Sequence, residues 1–304
     1  MTGVELESTT AAEVGAALAR ERRRSGSGQL GMVLTLVVHT DERGHYDAVR
    51  AATHASMSHP CRILTVIRRA PRDRVRLDAE VSVGGAANPG ETVILRMFGE
   101  LGEHAESVVV PLLLPDAPVV VWWPSAAPAS PAASPLGALG KRRVTDAAAA
   151  TRPVAELQRR ARGYTPGDTD LAWTRLTPWR TLLAAALDQP HDEITSAVVR
   201  AASGNPSAAL LATWLRLRLD VSVDAKTSRG PGITEVTLRT ARGDIEVNRP
   251  DGVRAILSRP GQHEHNVALP RRDTTDLVAE ELQRLDPDEP YGETLAAFAA
   301  EHTS

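Results

Sequence analysis

MVLTLVVHTDERGHYDAVRAATHASMSHPCRILTVI, residues 32–67, is the stretch from which the fold is read. Met32–Val38 is a continuous β-type run that does not alternate between apolar and polar positions. A strand with one solvated face alternates, so this run requires cover on both faces, the condition of an interior strand in a parallel or mixed sheet. The spacing predicts a helix over Tyr46–Met57, stopped by Pro60, and a second buried strand over Ile63–Ile67. Strand, helix and strand in this order make a βα unit, the building block of an α/β domain.

Upstream, a helix is expected from Thr10 to Arg24. Thr10 and Glu13 have the spacing of a capping box, and Arg22, Arg23 and Arg24 fall where they suit the helix dipole. Downstream, Val75–Val83 alternates and ends at Gly84-Gly85, Val93–Met97 is a further strand, and Glu103–Leu114 reads as a helix that Pro111 interrupts. Val119–Trp123 is a strand ending in two tryptophans. Residues 124–135 (PSAAPASPAASP) form a Pro/Ala/Ser-rich loop. Arg143–Asp146 can return a strand to the first sheet, and a helix over Pro153–Arg162 leads into Gly163.

The second half predicts helices opening at Thr177-Pro178 and at Asn205-Pro206, a cap residue followed by proline at the first helical position. Leu210, Leu211, Trp214 and Leu215 make one apolar face of the latter. Four strands follow, Ile233–Arg239, Ile245–Asn248, Val253–Leu257 and Asn266–Leu269, separated by turn signals too short for anything but antiparallel pairing. A helix capped near Asp273, with Val278, Leu282 and Leu285 on one face, closes the domain. The expected architecture is α/β (α+β) in two domains. Residues 1–163 form an N-terminal mixed-sheet α/β domain, and residues 164–304 a C-terminal antiparallel meander flanked by helices.

Composition narrows the function. Of 304 residues, 42% are hydrophobic, enough for a core, and the formal net charge of −3 provides no global field for nucleic acid or an anionic membrane. Only Lys141 and Lys226 are lysines, so abundant arginine reflects genome composition before phosphate binding. Cys61 is the only cysteine, so no internal disulfide forms, and it reads as a structural thiol beside a strand. The polar, acidic N-terminus is unlike a signal peptide. Val108–Trp123 is too broken by Pro111, Pro115, Asp116 and Pro118 to span a bilayer. A cytoplasmic location is expected.

Gly26, Gly28 and Gly31 match the dinucleotide fingerprint GxGxxG, but they follow a helix and open a strand. The fingerprint requires the reverse, so that a helix N-terminus meets the pyrophosphate. Gly140-Lys141 lacks the rest of a phosphate loop, and no HExxH or nucleophile elbow occurs. His263 and His265 share a strand face without a third metal ligand. No catalytic residue, metal or cofactor is assigned.

The most distinctive segment is Gly167–Arg180, GDTDLAWTRLTPWR, which gathers Asp168, Asp170, Trp173, Arg175, Trp179 and Arg180. Tryptophan and arginine are the residues that most often carry interface energy, and the two aspartates can hold Arg175 or Arg180 as charge-assisted pairs. The same composition suits an interdomain hinge with core tryptophans. Trp122 and Trp123 raise the same pair of readings, since neighbours on a strand face opposite ways.

SVVVPLLLPDAPVVVWWP (Ser107–Pro124), GDTDLAWTRLTPWR, ALPRR (Ala268–Arg272), MSHPCRILTVI (Met57–Ile67) and LDPDEPYGETL (Leu285–Leu295) together resemble the glucose-6-phosphate dehydrogenase assembly protein (OpcA) family of actinobacterial type, along nearly the whole chain. The resemblance implies a non-catalytic assembly factor or allosteric effector of glucose-6-phosphate dehydrogenase in the oxidative pentose phosphate pathway. It supplies no catalytic residues, and the thioredoxin control of cyanobacterial relatives does not carry over to a chain with one cysteine. Candidate partner-binding residues are Trp122, Trp123, Asp168, Asp170, Trp173, Arg175, Trp179, Arg180, Arg271 and Arg272. The alternative is a regulatory module binding sugar phosphate or nucleotide, supported by the α/β first half and by Arg142, Arg143, Arg271 and Arg272 near turns.

Overall fold

A computed structural model describes residues 3–25, 31–69, 73–84 and 90–302. The chain divides into two compact units, neither continuous in sequence. The first comprises residues 1–146, 164–169 and 274–287; the second comprises 147–163, 170–273 and 288–304. The single cut expected after Gly163 is therefore one of several crossings. Most of Gly26–Gly31, and Gly85, lie outside the described residues.

The first unit is built on an eight-stranded sheet. Its strands are β1 (Val4–Leu6), β2 (Leu34–Thr40), β3 (Cys61–Arg68), β4 (Arg76–Val83), β5 (Glu91–Phe98), β6 (Val119–Trp122), β7 (Arg142–Thr145) and β8 (Asp168–Asp170), in the order β1-β4-β5-β3-β2-β6-β7-β8. The run β5-β3-β2-β6-β7 is parallel, and β4 and β1 close one edge antiparallel. β2 and β3 lie inside the sheet and all but one residue of each is buried, which is why neither sequence alternates.

Helices cover both faces. Helix α1 (Ala11–Ser25) turns Val14, Ala17 and Leu18 into a cluster with Val37, Leu64, Val93, Leu95 and Trp123. Its capping box forms as read: Thr10 N donates to Glu13 at 2.9 Å and Glu13 N to Thr10 Oγ1 at 3.3 Å. Helix α2 (His45–Ser58) packs on β2 and β3. The helix expected over Glu103–Leu114 is reduced to α3 (Ala105–Val109) and one tighter turn, because Pro111 supplies no N–H. Residues 124–135 are a packed turn, not a free linker. Pro131 is buried, and Ser134 Oγ donates to its carbonyl at 2.7 Å.

In the second unit, α4 (Pro153–Arg162), α5 (Leu171–Thr174), α6 (Thr177–Leu187), α7 (Pro206–Leu219) and α9 (Glu289–Glu301) accompany a six-stranded sheet. Its strands are β9 (Ile194–Ala201), β10 (Ser222–Thr227), β11 (Ile233–Thr240), β12 (Ile245–Asn248), β13 (Arg254–Ser258) and β14 (His265–Ala268), in the order β10-β9-β11-β12-β13-β14. The meander β11 to β14 is antiparallel as expected. β9 and β10 extend it, and because α7 connects them they run parallel. Asn205 caps α7, its Oδ1 accepting from Ala208 N at 3.0 Å. For α6 the cap position is Leu176, and Thr177 is already helical.

The helix near Asp273 is α8 (Thr274–Gln283). It belongs to the first unit and lies against α2, while the second unit is completed by α9, capped by Asp288. Among the described residues no helix is long and apolar enough to cross a membrane.

Candidate functional site

In the first unit the strand order reverses beside β2. β3 lies on one side and β6 on the other, and ligands of open α/β sheets bind outside the carboxyl ends of strands at such a reversal. A cavity of 720 Å³ lies there, lined by His39, Asp41, Arg68, Glu103, Trp123 and Ser125 among others. Its volume suits a small molecule. Burial first, and then the Arg68 charge, hold His39 below the ordinary imidazole value, so its ring stays neutral near pH 7. The charges at this end pair among themselves: Arg68 with Glu103, and Arg69 with Glu42 at 2.6 Å. The turn between β2 and α2 is closed as well. The Asp41 carboxylate accepts the N–H groups of Arg43 at 3.0 Å and Gly44 at 2.8 Å. In a dinucleotide site, amides at this turn are offered to a pyrophosphate; here those of Arg43 and Gly44 are bonded to the Asp41 carboxylate.

Trp122 and Trp123 are 1% and 2% exposed. Asp168 takes Arg143 as its partner, in a buried ion pair. Its Oδ2 accepts Thr165 N at 2.9 Å, while Arg143 donates to the carbonyls of Gly140 at 2.6 Å and Pro166 at 2.7 Å. One guanidinium thus clamps the approach to β7 to the segment before β8. Gly167, at φ +96°, makes this possible, since a Cβ there would stand 2.7 Å from the Lys141 carbonyl. A second buried pair joins Arg142 to Glu281 of α8 at 2.5 Å.

In the second unit Asp170 is fully buried and caps α5, with Oδ1 accepting Ala172 N at 2.8 Å and Oδ2 accepting Ala147 N at 2.9 Å. Trp173 is 1% exposed, and its Nε1–H donates to Asp288 Oδ2 at 2.9 Å. The ring lies 5.7 Å from that of Tyr291, with the Arg180 guanidinium 3.8 Å from its centroid. Trp179 is also buried, under the guanidinium of Arg249 at 4.8 Å. Arg175 ends α5, and Arg272 donates to the Thr174 carbonyl at 3.3 Å.

Burial therefore gives the tryptophans and aspartates of Gly167–Arg180 the packing role that the sequence held open beside an interface. Arg175, Arg180 and Arg272 are half-buried, and Arg271 is exposed. Sequence reasoning missed Arg249, which lies 69 residues beyond Arg180 and carries no motif. Its one signal was an arginine next to a turn proline, Pro250. His263 and His265 are exposed, and no group of three metal-ligating side chains occurs among the described residues.

Cys61 opens β3, is buried, and has its pKa pushed up by that burial from 9.0 to about 12. At pH 8 its thiolate fraction is about a thousandfold below that of an ordinary thiol. A disulfide reagent is expected to leave the native chain unlabelled and to react with one thiol once the chain is unfolded in urea. Rapid native labelling would contradict the packed position.

The fold and these sites define an α/β protein of two units, with a small-molecule-sized cavity in the first and an arginine–tryptophan scaffold in the second. Residues 52–162 match the glucose-6-phosphate dehydrogenase subunit N-terminal domain, and residues 166–295 match the C-terminal domain of that subunit. The chain belongs to this glucose-6-phosphate dehydrogenase subunit (OpcA) family.

A curated relative, the putative OxPP cycle protein OpcA of Synechocystis, is 28% identical over 59% of this chain. The match spans 41% of that protein's length. Solved structures of similar backbone include a 3-ketoreductase from Actinomadura kijaniata in complex with NADP and TDP-benzene, with TM-score 0.49, 12% identity, and coverage of 88% of this chain and 95% of that one. An oxidoreductase from Sinorhizobium meliloti follows at TM-score 0.46, 10% identity, and coverage of 88% and 87%. Likenesses at this level carry no argument about ligand or activity.

Proposed function

We propose that this chain is a non-catalytic partner of glucose-6-phosphate dehydrogenase that assembles or activates the enzyme in the oxidative pentose phosphate pathway. The observation that carries this reading is the match of both halves of the chain to the two domains of the dehydrogenase subunit family. The closed turn at Asp41 supports an effector in preference to a second dehydrogenase, because its carboxylate repels the pyrophosphate that a nicotinamide dinucleotide would bring. Such a protein acts only by binding one state of the enzyme better than another. Trp122, Trp123, Asp168, Asp170, Trp173 and Trp179 serve this function as scaffold. The contact with the partner falls to the guanidiniums of Arg175, Arg180, Arg271 and Arg272, planar donor forks suited to a partner's carboxylates.

The test is dehydrogenase kinetics with and without this chain, joined to light scattering of the mixture. A rise in kcat or a fall in KM together with a co-migrating complex is expected, and the chain alone is expected to produce no NADPH. Arg272→Ala is expected to weaken the complex by about 2 kcal/mol if that side chain is a hot spot. Unchanged kinetics and separate scattering species would remove the proposal.

A further inference from the structure

Among the described residues, two guanidiniums of the second unit, Arg249 and Arg271, form no ion pair with a carboxylate. Arg249 is 4% exposed, and its Nη1 and Nη2 donate only to the carbonyls of Leu269 at 2.9 Å and Ile233 at 2.8 Å. Its buried Nε–H has no acceptor. Burial first, and then the Arg271 charge, bring its pKa down to about 10, with Asp251 offsetting only part of their effect. Asp251 is itself engaged, accepting Val253 N at 2.8 Å and Arg254 N at 3.0 Å. Among the described residues no carboxylate lies within ion-pair distance of Arg249 or Arg271. Burying a charge without a partner costs several kcal/mol, so the arrangement calls for an anion.

The geometry shows where that anion fits. Gly232 has φ +72°, and on its open side one point, where a Cβ would stand, lies 3.8 Å from each of three nitrogens: Arg249 Nη2, Arg271 Nε and Asn205 Nδ2. Asn205 is the cap of α7; its Oδ1 is committed to Ala208 N, which turns its amide nitrogen toward this space. The positive end of the 14-residue helix α7 is thus added to two guanidiniums. Arg271 is held in place by its own N–H on the Gly252 carbonyl at 2.9 Å, and by the close approach that Gly252, lacking a Cβ, allows.

We infer that the cradle formed by Asn205, Gly232, Arg249 and Arg271 is a binding site for the phosphate group of a small phosphorylated metabolite. Two full positive charges and a helix N-terminus match a dianionic phosphate monoester better than a monoanionic carboxylate, and the exposed Arg271 leaves the site open to a free ligand. The inference stands on the isolated chain and does not depend on the dehydrogenase partnership.

The test is calorimetry and thermal melting of the full chain in phosphate-free buffer, titrated separately with inorganic phosphate, glucose 6-phosphate, glucose and acetate. Saturable binding and a raised Tm are expected with the first two and not with the last two. Tighter binding of glucose 6-phosphate than of inorganic phosphate would show that the site also reads the sugar, and equal binding that it reads phosphate alone; both support the site. Arg271→Ala, at an exposed position, and Asn205→Asp, which keeps the cap but turns a donor into a carboxylate, are each expected to weaken binding at least about tenfold with Tm in phosphate-free buffer unchanged. The inference is overturned if the native chain shows no saturable phosphate binding, if acetate binds equally well, or if both variants bind phosphate as the native chain does.

Discussion

Trp173→Ala is expected to lower the stability of the chain by about 3–5 kcal/mol, the cost of emptying a buried aromatic site. The ring is 1% exposed, with the tilted Tyr291 ring 5.7 Å away and the Arg180 guanidinium over its face. Its removal also takes the Nε1–H from Asp288 Oδ2, and Asp288 Oδ1 is the cap that starts α9 by accepting Tyr291 N at 2.9 Å. Trp173→Phe keeps most of the volume and loses that one hydrogen bond, so a cost of about 1–2 kcal/mol is expected. Urea melts on both variants measure this. Stimulation of the dehydrogenase should then follow the folded fraction. If Trp173→Ala kept the native melting curve and still abolished stimulation, the ring would be an interface anchor and its packing role would be refuted.

The second large effect is at the clamp between Arg143 and Asp168. Both side chains are less than a tenth exposed, and Arg143 also carries two backbone carbonyls. Arg143→Ala leaves a buried carboxylate and two carbonyls without their donor, and about 3–5 kcal/mol is expected to be lost. Asp168→Asn retains an acceptor for Thr165 N and the shape of the site, so it is expected to cost less. A double-mutant cycle on Arg143→Ala and Asp168→Ala should show strong coupling, because once one partner is gone the second substitution removes an orphan. Purely additive costs would show that the two side chains do not stabilise one another.

The features legible in the sequence are those whose cause lies within a few residues. The capping box of Thr10 and Glu13, the Asn205-Pro206 helix start and the unbroken runs of β2 and β3 all state their structure locally. The strands β9 and β10 were not legible. Ile194–Ala201 mixes Ser196 and Arg200 into its apolar pattern, and Ser222–Thr227 is a polar edge strand with five of six residues exposed. Neither has the period of a half-buried strand, and both become strands because α7 sets them side by side. Helix α9 was missed although its cap, Asp288, stands before Pro290, because its apolar face is diluted by alanine.

The site residues divide the same way. Composition singled out Gly167–Arg180 without saying which face its tryptophans take, because buried and interface aromatics share one chemistry. Asp168 and Asp170 looked like partners for arginines of their own segment. Asp168 pairs with Arg143, 25 residues earlier, and Trp173 bonds to Asp288, 115 residues later.

By itself, the sequence determined that this is an α/β chain, because hydrophobic period, caps and turn residues act over short distances and are written in order; its family came from the resemblance of whole segments. Only the tertiary structure decided that α8 joins the first unit and that Trp122, Trp123, Trp173 and Trp179 are buried. It also decided that Asn205, Arg249 and Arg271 meet around Gly232. Counter-charge and burial are properties of what surrounds a side chain, and those surroundings are assembled from segments that the linear order keeps apart.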